Sequence, residues 1–77
     1  MNGWSNYPTF IVSQFFDTEI EELVKEIGTE DLIVLSRSIK ELVKDQIPEH
    51  SGIVGDILDW AVEQVRWLEI AKSRREK

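Results

Sequence analysis

The residue types that carry most enzyme chemistry are sparse in this chain. Hydrolysis and group transfer usually need a base with a pKa near neutrality, or two carboxylates held together in a cleft. His50 is the only histidine, and it lies in the linker 48–51, which favours a solvated loop or a helix-capping role. The serines occur in none of the glycine-flanked turns that present a hydrolase nucleophile. We therefore predict that the protein is not an enzyme.

Three carboxylates, those of Asp56, Asp59 and Glu63, recur at helical spacing and could converge on a metal ion. Di-metal helical bundles also need Glu-x-x-His pairs, and the sequence contains none. Arg66 follows Glu63 by three residues, which favours ion pairs along a solvated helix face. We predict no metal site and no cofactor.

Two features of the sequence could bind nucleic acid. The run Gly52-x-x-Gly55 matches the loop with which KH domains approach phosphates, although acidic residues flank it. Near the end of the chain lie four cations: Lys72, Arg74, Arg75 and Lys77. Cations in a last helical turn also complement the helix dipole. We therefore interpret the glycines as a loose helix start and the cations as a solvated, frayed helix end.

Charge is distributed unevenly over the 77 residues, which carry 15 acidic and 9 basic side chains and a net charge of -6. Residues 1 to 31 hold seven acids and one base, whereas residues 61 to 77 hold three acids and five bases. Phosphate backbones are bound through basic surfaces, so this balance disfavours nucleic acid as a partner. A basic protein is the more natural one.

Cysteine is absent, which excludes disulfides, thiolate metal sites and cysteine nucleophiles and fits a reducing compartment. The sequence shows neither the pattern of a signal peptide nor an apolar run near the ~20 residues that cross a bilayer. We therefore expect a soluble, cytoplasmic protein with no membrane partner.

The elements that would position these residues are all helical. Apolar periodicity and the breakers predict one all-α domain over residues 1–77, a small compact bundle. Its three main helices are expected at about 18–27, 30–46 and 51–73, and a short N-terminal helix is expected at about 8–16, where the apolar run also fits a strand. The start and stop signals are Pro8, Gly28 and Pro48, with predicted caps at Ser5 or Asn6, in the capping box Thr18 to Glu21, and at Thr29 and Ser51.

Trp60 and Trp67 are seven residues apart, so a continuous helix over 51–73 would place them two turns apart on one face. That face is displaced from another apolar stripe, which consists of Val54, Ile57, Ala61, Val65 and Leu68. Either this helix is packed between two others, or it presents a second apolar surface for dimerisation or for a partner, since tryptophan is favoured at binding hot spots.

The opening of the chain contains a specific motif: Asn2-Gly3-Trp4-x-Asn6-Tyr7-x-Thr9-Phe10-x-Val12. It resembles the N-G-W-x-N-Y-E-T-W-x-V start of a family of small uncharacterised proteins from bacteriophages, plasmids and some bacterial and archaeal genomes. The family's C-terminal helix is resembled by Asp56-Ile57-Leu58 and by Val65-x-Trp67-x-Glu69-Ile70-Ala71. This chain departs from the pattern at Pro8, Phe10, Ile11, Gln14 and Phe15. The resemblance implies a mobile-element origin and no particular activity.

Within the motif, Trp4, Asn6, Tyr7, Thr9, Phe10 and Val12 are predicted to be structural. We expect Asn6 and Thr9 to satisfy backbone groups around the helix start, and Trp4, Tyr7 and Phe10 to cover a core that includes Trp67. The alternative is that the motif is itself a ligand or partner site.

The leading functional hypothesis is a non-enzymatic helical protein that binds another protein, and a homodimer is compatible with it. The candidate interface residues lie in two places. Trp60 and Trp67 lie on the long helix, and Asp17, Glu19, Glu22 and Glu26 lie in the acid-rich residues 1–31, which we call the acidic front. A narrower hypothesis is a phage or plasmid counter-defence inhibitor, of antirestriction or anti-CRISPR type, that mimics DNA with its acidic front. A further alternative is a small nucleic-acid-binding regulator that uses the basic residues of 66–77.

Overall fold

Five α-helices contain most of the residues that the computed structural model describes, which are residues 3–75. The helices are α1 (Tyr7–Phe15), α2 (Asp17–Ile27), α3 (Leu32–Gln46), α4 (Gly52–Gln64) and α5 (Trp67–Arg75). The all-α prediction is confirmed, and residues 3–75 contain no strand, so the strand alternative for the first segment is wrong. The predicted arrangement of three main helices and a short one is also wrong, because the segment 51–73 forms two helices.

The core lies between α3 and α5, which pack closely, with α2 against α3 on one side. Its buried apolar side chains are Ile20, Leu35, Ile39, Val43, Val65, Ile70 and Ala71. α1 packs against α2, α4 and α5, whereas α4 packs chiefly against α1. The fourth helix is therefore attached to the side of the bundle and contributes little to the core.

Local signals define most helix ends. Asn6 caps α1 with Pro8 in the first turn, as predicted, and Gly28 ends α2 with the left-handed φ of 62° that favours glycine. α3 begins two residues later than expected, because Asp31 is its N-cap and accepts from the N–H groups of Ile33 and Val34 at 2.9 and 3.3 Å. Thr29, the predicted cap, accepts from the Asp31 N–H instead.

The predicted capping box at Thr18 to Glu21 does not form. Phe16 both ends α1 and begins α2, so Thr18 already lies inside the second helix. Ser51 occupies the N-cap position of α4, where the structure shows no side-chain hydrogen bond. Within residues 3–75, no helix is long and apolar enough to cross a bilayer.

Candidate functional site

Residues of the N-terminal motif form a network of hydrogen bonds around the start of α1. Asn6 Oδ1 accepts from the Thr9 N–H at 3.0 Å and from the Thr9 hydroxyl at 2.7 Å. The amide of Asn6 donates to the carbonyl oxygen of Gln64 at 2.8 Å, and Thr9 Oγ1 accepts from the Arg66 N–H at 2.8 Å. The motif thus joins the beginning of the chain to the junction of α4 and α5.

These two contacts explain why the predicted helix over 51–73 is broken. In a continuous helix the Arg66 N–H would donate to the carbonyl of residue 62, and the Gln64 carbonyl would accept from residue 68. Thr9 and Asn6 take the place of those partners. Val65 is consequently extended, with ψ at 131°, and its side chain is buried in the core.

A third contact from the motif reaches α5. Ser5 donates its N–H to Glu69 Oε1 at 2.9 Å and its hydroxyl to Glu69 Oε2. The hydroxyl bond is the main reason that the pKa of Glu69 lies below its ordinary value, helped by the N–H bond and by the charge of Arg66 and opposed by desolvation. The carboxylate is therefore a structural acceptor.

The apolar residues of the motif divide between core and surface. Trp4 and Val12 pack against the buried cluster, as does Trp67. Tyr7 is exposed, and its ring stacks on that of Phe10 with centroids 6.2 Å apart. The expectation that Tyr7 covers the core is wrong, because it lies at the outer start of α1. Asn2 lies outside the described residues.

The basic end of the chain is not the solvated end that its sequence suggested. The Arg74 side chain is buried, and its Nη2 donates to the Ser13 carbonyl at 3.0 Å and to the Ser13 hydroxyl at 2.8 Å. Its Nη1 donates to Asp17 and, at 2.7 Å, to Glu21. Burial would lower the pKa of Arg74, but the hydrogen bonds with the two carboxylates outweigh it and raise that pKa.

Arg75 makes a second link to the acidic front. It donates to the Thr29 carbonyl at 3.2 Å and pairs with Glu30 at 3.3 Å. Two arginines of the basic end therefore pair with three carboxylates of the acidic front within the molecule. Of the candidate acidic interface residues, Asp17 pairs with Arg74, while Glu19, Glu22 and Glu26 are exposed along α2. Lys77 lies outside the described residues.

The two candidate interface tryptophans lie on different helices. Trp67 begins α5 and packs against the core, whereas Trp60 on α4 is 60% exposed. Their predicted common face is therefore wrong. On α4, Trp60 lies in line with Ile53 and with Ile57, which the sequence had placed in the other stripe; the two isoleucines are 75% and 57% exposed. We name these three residues the α4 stripe.

Gly55 alone is buried among residues 52–64, although α4 is largely apolar. A Cβ on Gly55 would overlap the carbonyl oxygen of His50, so the glycine lets the preceding loop cross the helix closely. Gly52 and Gly55 thus lie in the first turn of a helix, as predicted.

A cleft of about 580 Å³ separates α4 from the end of α3. Lys40 and Lys44 line the side of α3, Asp59 and Glu63 line the side of α4, and His50 lies at the connecting loop. In the part of the chain that the structure describes, no group of His, Cys, Asp or Glu side chains could hold a metal ion.

A second exposed apolar row lies on α1, at Tyr7, Ile11 and Phe15. The helices that carry the two rows differ in how closely they pack against the rest of the protein. α1 buries Thr9 and Ser13 and packs against three helices, so its row is the outer face of an integrated helix. The α4 stripe belongs to a helix with little packing of its own, and sequence reasoning missed this difference because helical periodicity does not reveal which neighbours are present.

Comparison of the chain with protein-family models, with curated proteins and with solved structures gives no match.

Proposed function

We propose that this protein is non-enzymatic and acts by binding another protein through the α4 stripe, Ile53, Ile57 and Trp60. One observation carries the proposal: α4 exposes these three large apolar side chains while burying only Gly55 among residues 52–64. The residues recur at intervals of four and three, so they form one continuous line along the helix. Full burial of a large apolar side chain contributes about 1.5 to 3 kcal/mol.

The acidic front and the basic end are weaker candidates for a binding surface, because some of their charged side chains already pair with one another. Arg74 pairs with Asp17 and Glu21, and Arg75 pairs with Glu30. The exposed acidic residues Glu19, Glu22 and Glu26 are few for a DNA mimic, since duplex DNA carries about one charge per 1.7 Å. The same contacts remove two arginines from any surface that would bind nucleic acid.

The resemblance of the opening motif to small phage and plasmid proteins extends the proposal. Under it, the chain is encoded by a mobile element and its partner is a host protein. This part rests on the resemblance alone, and the genes that neighbour its own would test it: phage or plasmid genes support a mobile origin, and a housekeeping operon contradicts it.

The α4 stripe is tested by a matched pair of variants. Ile57 and Ile33 are both 57% exposed, but only Ile57 belongs to the stripe. We expect Ile57→Ser to abolish capture of the partner from host lysate and Ile33→Ser to leave it unchanged. Phe15→Ser examines the row on α1 in the same assay. Circular dichroism and urea unfolding establish that each variant is folded.

Two results would contradict the proposal. Equal capture by Ile57→Ser and the unsubstituted protein would exclude the stripe. Loss of capture with Phe15→Ser alone would assign binding to α1.

A further inference from the structure

We infer that the occupant of the α4 stripe is a basic amphipathic helix and not a second copy of this chain. The inference rests on the proposed function, because it specifies the chemistry of the partner at the same surface. Its grounds are the shape of the stripe, the charge beside it and the area that it offers.

The shape of the stripe matches a helix laid along it. Thirteen residues of α4 span about 20 Å at 1.5 Å per residue, and the stripe from Ile53 to Trp60 takes up about 10 Å of that length. An amphipathic helix recognises such a line through its own apolar residues at intervals of three and four. A partner of about three turns is long enough to cover it.

The charge that α4 itself places beside the stripe is of one sign, and Lys40 and Lys44 lie on α3 across the cleft that Glu63 also lines. Asp56 and Glu63 are exposed and fall three or four residues from Ile53 and Trp60, so they form a neighbouring row on the same helix. α4 contains a third acid, Asp59, and no Lys, Arg or His between residues 52 and 64. A partner with Lys or Arg beside its apolar face would complement this row.

Self-association through the same surface lacks that complementarity. A two-fold dimer places the same patch on both sides of the interface, so each α4 would bring Asp56 and Glu63, and no cation of its own, to the contact. Like charges in juxtaposition oppose association. Electrostatics therefore favours a basic partner over a second copy.

The exposed apolar area of the stripe also favours a docked helix over a second copy of the chain. Aromatic side chains bury about 150–250 Å² each, so the partly exposed side chains of the stripe offer a few hundred Å². A stable interface of ordinary size buries about 800 Å² per partner. The stripe and its acidic row suit the narrow contact of a docked helix better than the face of a permanent dimer.

Two labelled synthetic peptides test the inference. Both carry leucines at intervals of four and three along one face, and they differ only in flanking residues, which are Lys in one and Glu in the other. Fluorescence anisotropy measures their affinities for the full chain at low and raised salt. We expect the Lys peptide to bind about tenfold more tightly, because two exposed ion pairs replace two repulsions, and we expect salt to weaken it.

Three variants locate the effect. Ile57→Ser should abolish binding of the Lys peptide, and Ile33→Ser should not change it. The double substitution Asp56→Asn and Glu63→Gln should remove most of the difference between the peptides without unfolding the protein, because both side chains are exposed. Light scattering at the same concentrations should give the mass of a monomer.

The contrary outcomes are distinguishable. Equal binding of both peptides, lost with Ile57→Ser, overturns the basic partner and leaves the proposed function intact. A dimer that Ile57→Ser dissociates also overturns it, and makes a second copy the occupant. If neither peptide binds and the chain is monomeric, the inference fails, and the lysate comparison of Ile57→Ser with Ile33→Ser decides the proposed function separately.

Discussion

Among single residues, Thr9 links two distant parts of the fold, the start of α1 and the junction of α4 and α5. It is fully buried, and its hydroxyl both donates to Asn6 and accepts from the Arg66 N–H. Asn6 as the acceptor was predictable, since asparagine is a common N-cap and its Oδ1 also accepts from the Thr9 N–H. The second joins residues 57 positions apart, and no local pattern in the sequence indicates it.

Replacement of Thr9 by valine, which has nearly the same shape, should lower the free energy of unfolding by about 1 to 3 kcal/mol. The reason is that the Arg66 N–H and Asn6 Oδ1 each lose a hydrogen-bond partner in a part-buried place. Urea unfolding followed by circular dichroism measures the loss. Thr18→Val, at an exposed threonine, is the matched control, and equal stability of the two variants would contradict the role of the hydroxyl.

The Ser5 to Glu69 contact should make part of the stability depend on pH. Because the folded-state pKa of Glu69 lies below its ordinary value of 4.5, the contact stabilises the fold above that value and is lost as the pH falls through the lowered pKa. As the pH is lowered through 4.5 and below, the unsubstituted protein should lose the stabilisation by this contact, and Glu69→Gln, which has no carboxylate there to protonate, should lose less stability. Urea unfolding at several pH values checks this.

Glu63→Gln provides the control for that measurement, since Glu63 is an exposed glutamate on α4. Its stability should fall with acid as steeply as that of the unsubstituted protein. If Glu69→Gln shows the same steep fall, the Ser5 contact does not contribute to acid sensitivity.

At the scale of elements, α4 differs from the other helices in how it is held. It packs chiefly against α1, a cleft separates it from α3, and the loop at His50 crosses it at Gly55. Position 55 requires glycine because a Cβ there would overlap the backbone carbonyl of His50. A backbone carbonyl cannot rotate away as a side chain can.

Gly55→Ala should therefore lower the free energy of unfolding by about 1 to 3 kcal/mol, the usual cost of overpacking. Alanine favours a helix over glycine by about 1 kcal/mol, so a site without the obstacle would gain stability instead. Asp56→Ala, the exposed neighbour on α4, should change stability by less than about 0.5 kcal/mol. A stabilised Gly55→Ala variant in urea unfolding would show that the loop does not press on the helix.

For the molecule as a whole, the most important long-range contacts are those of Arg74. This side chain on α5 is hydrogen-bonded to Ser13 on α1 and to Asp17 and Glu21 on α2. Its guanidinium reaches Ser13 across 61 residues of sequence and Asp17 across 57. The uneven charge of the sequence thus serves, in part, to close the fold on itself. Net charge and its distribution alone could not show this, because a cation near a chain end usually remains in solvent.

Arg74→Met should lower the free energy of unfolding by about 1.5 to 3 kcal/mol, since the buried oxygens of Ser13 lose a charged donor. Arg75→Met is the matched neighbour, whose partner Glu30 is almost fully exposed. It should cost less than about 1 kcal/mol, as surface pairs do. Urea unfolding of both variants checks the order, and a smaller loss for Arg74→Met than for Arg75→Met would contradict it.

Features that depend on residues close together in the chain could be predicted from the sequence. Proline in the first turn of α1, asparagine at its cap and glycine after α2 act within a few residues, so their positions could be predicted, and apolar periodicity sufficed for the all-helical class. The residues of the proposed binding surface were indicated only in part: Trp60 was a candidate, but its expected companion Trp67 lies in another helix.

Three features became evident only in the folded chain: the break at Val65, the burial of Arg74 and the exposure of the α4 stripe. The first two depend on groups that are far apart in the chain and meet after folding, Thr9 with Arg66 and Ser13 with Arg74. The third depends on α4 packing chiefly against α1, which leaves its other face uncovered. A helical pattern shows which side chains share a face, but packing decides whether that face is covered.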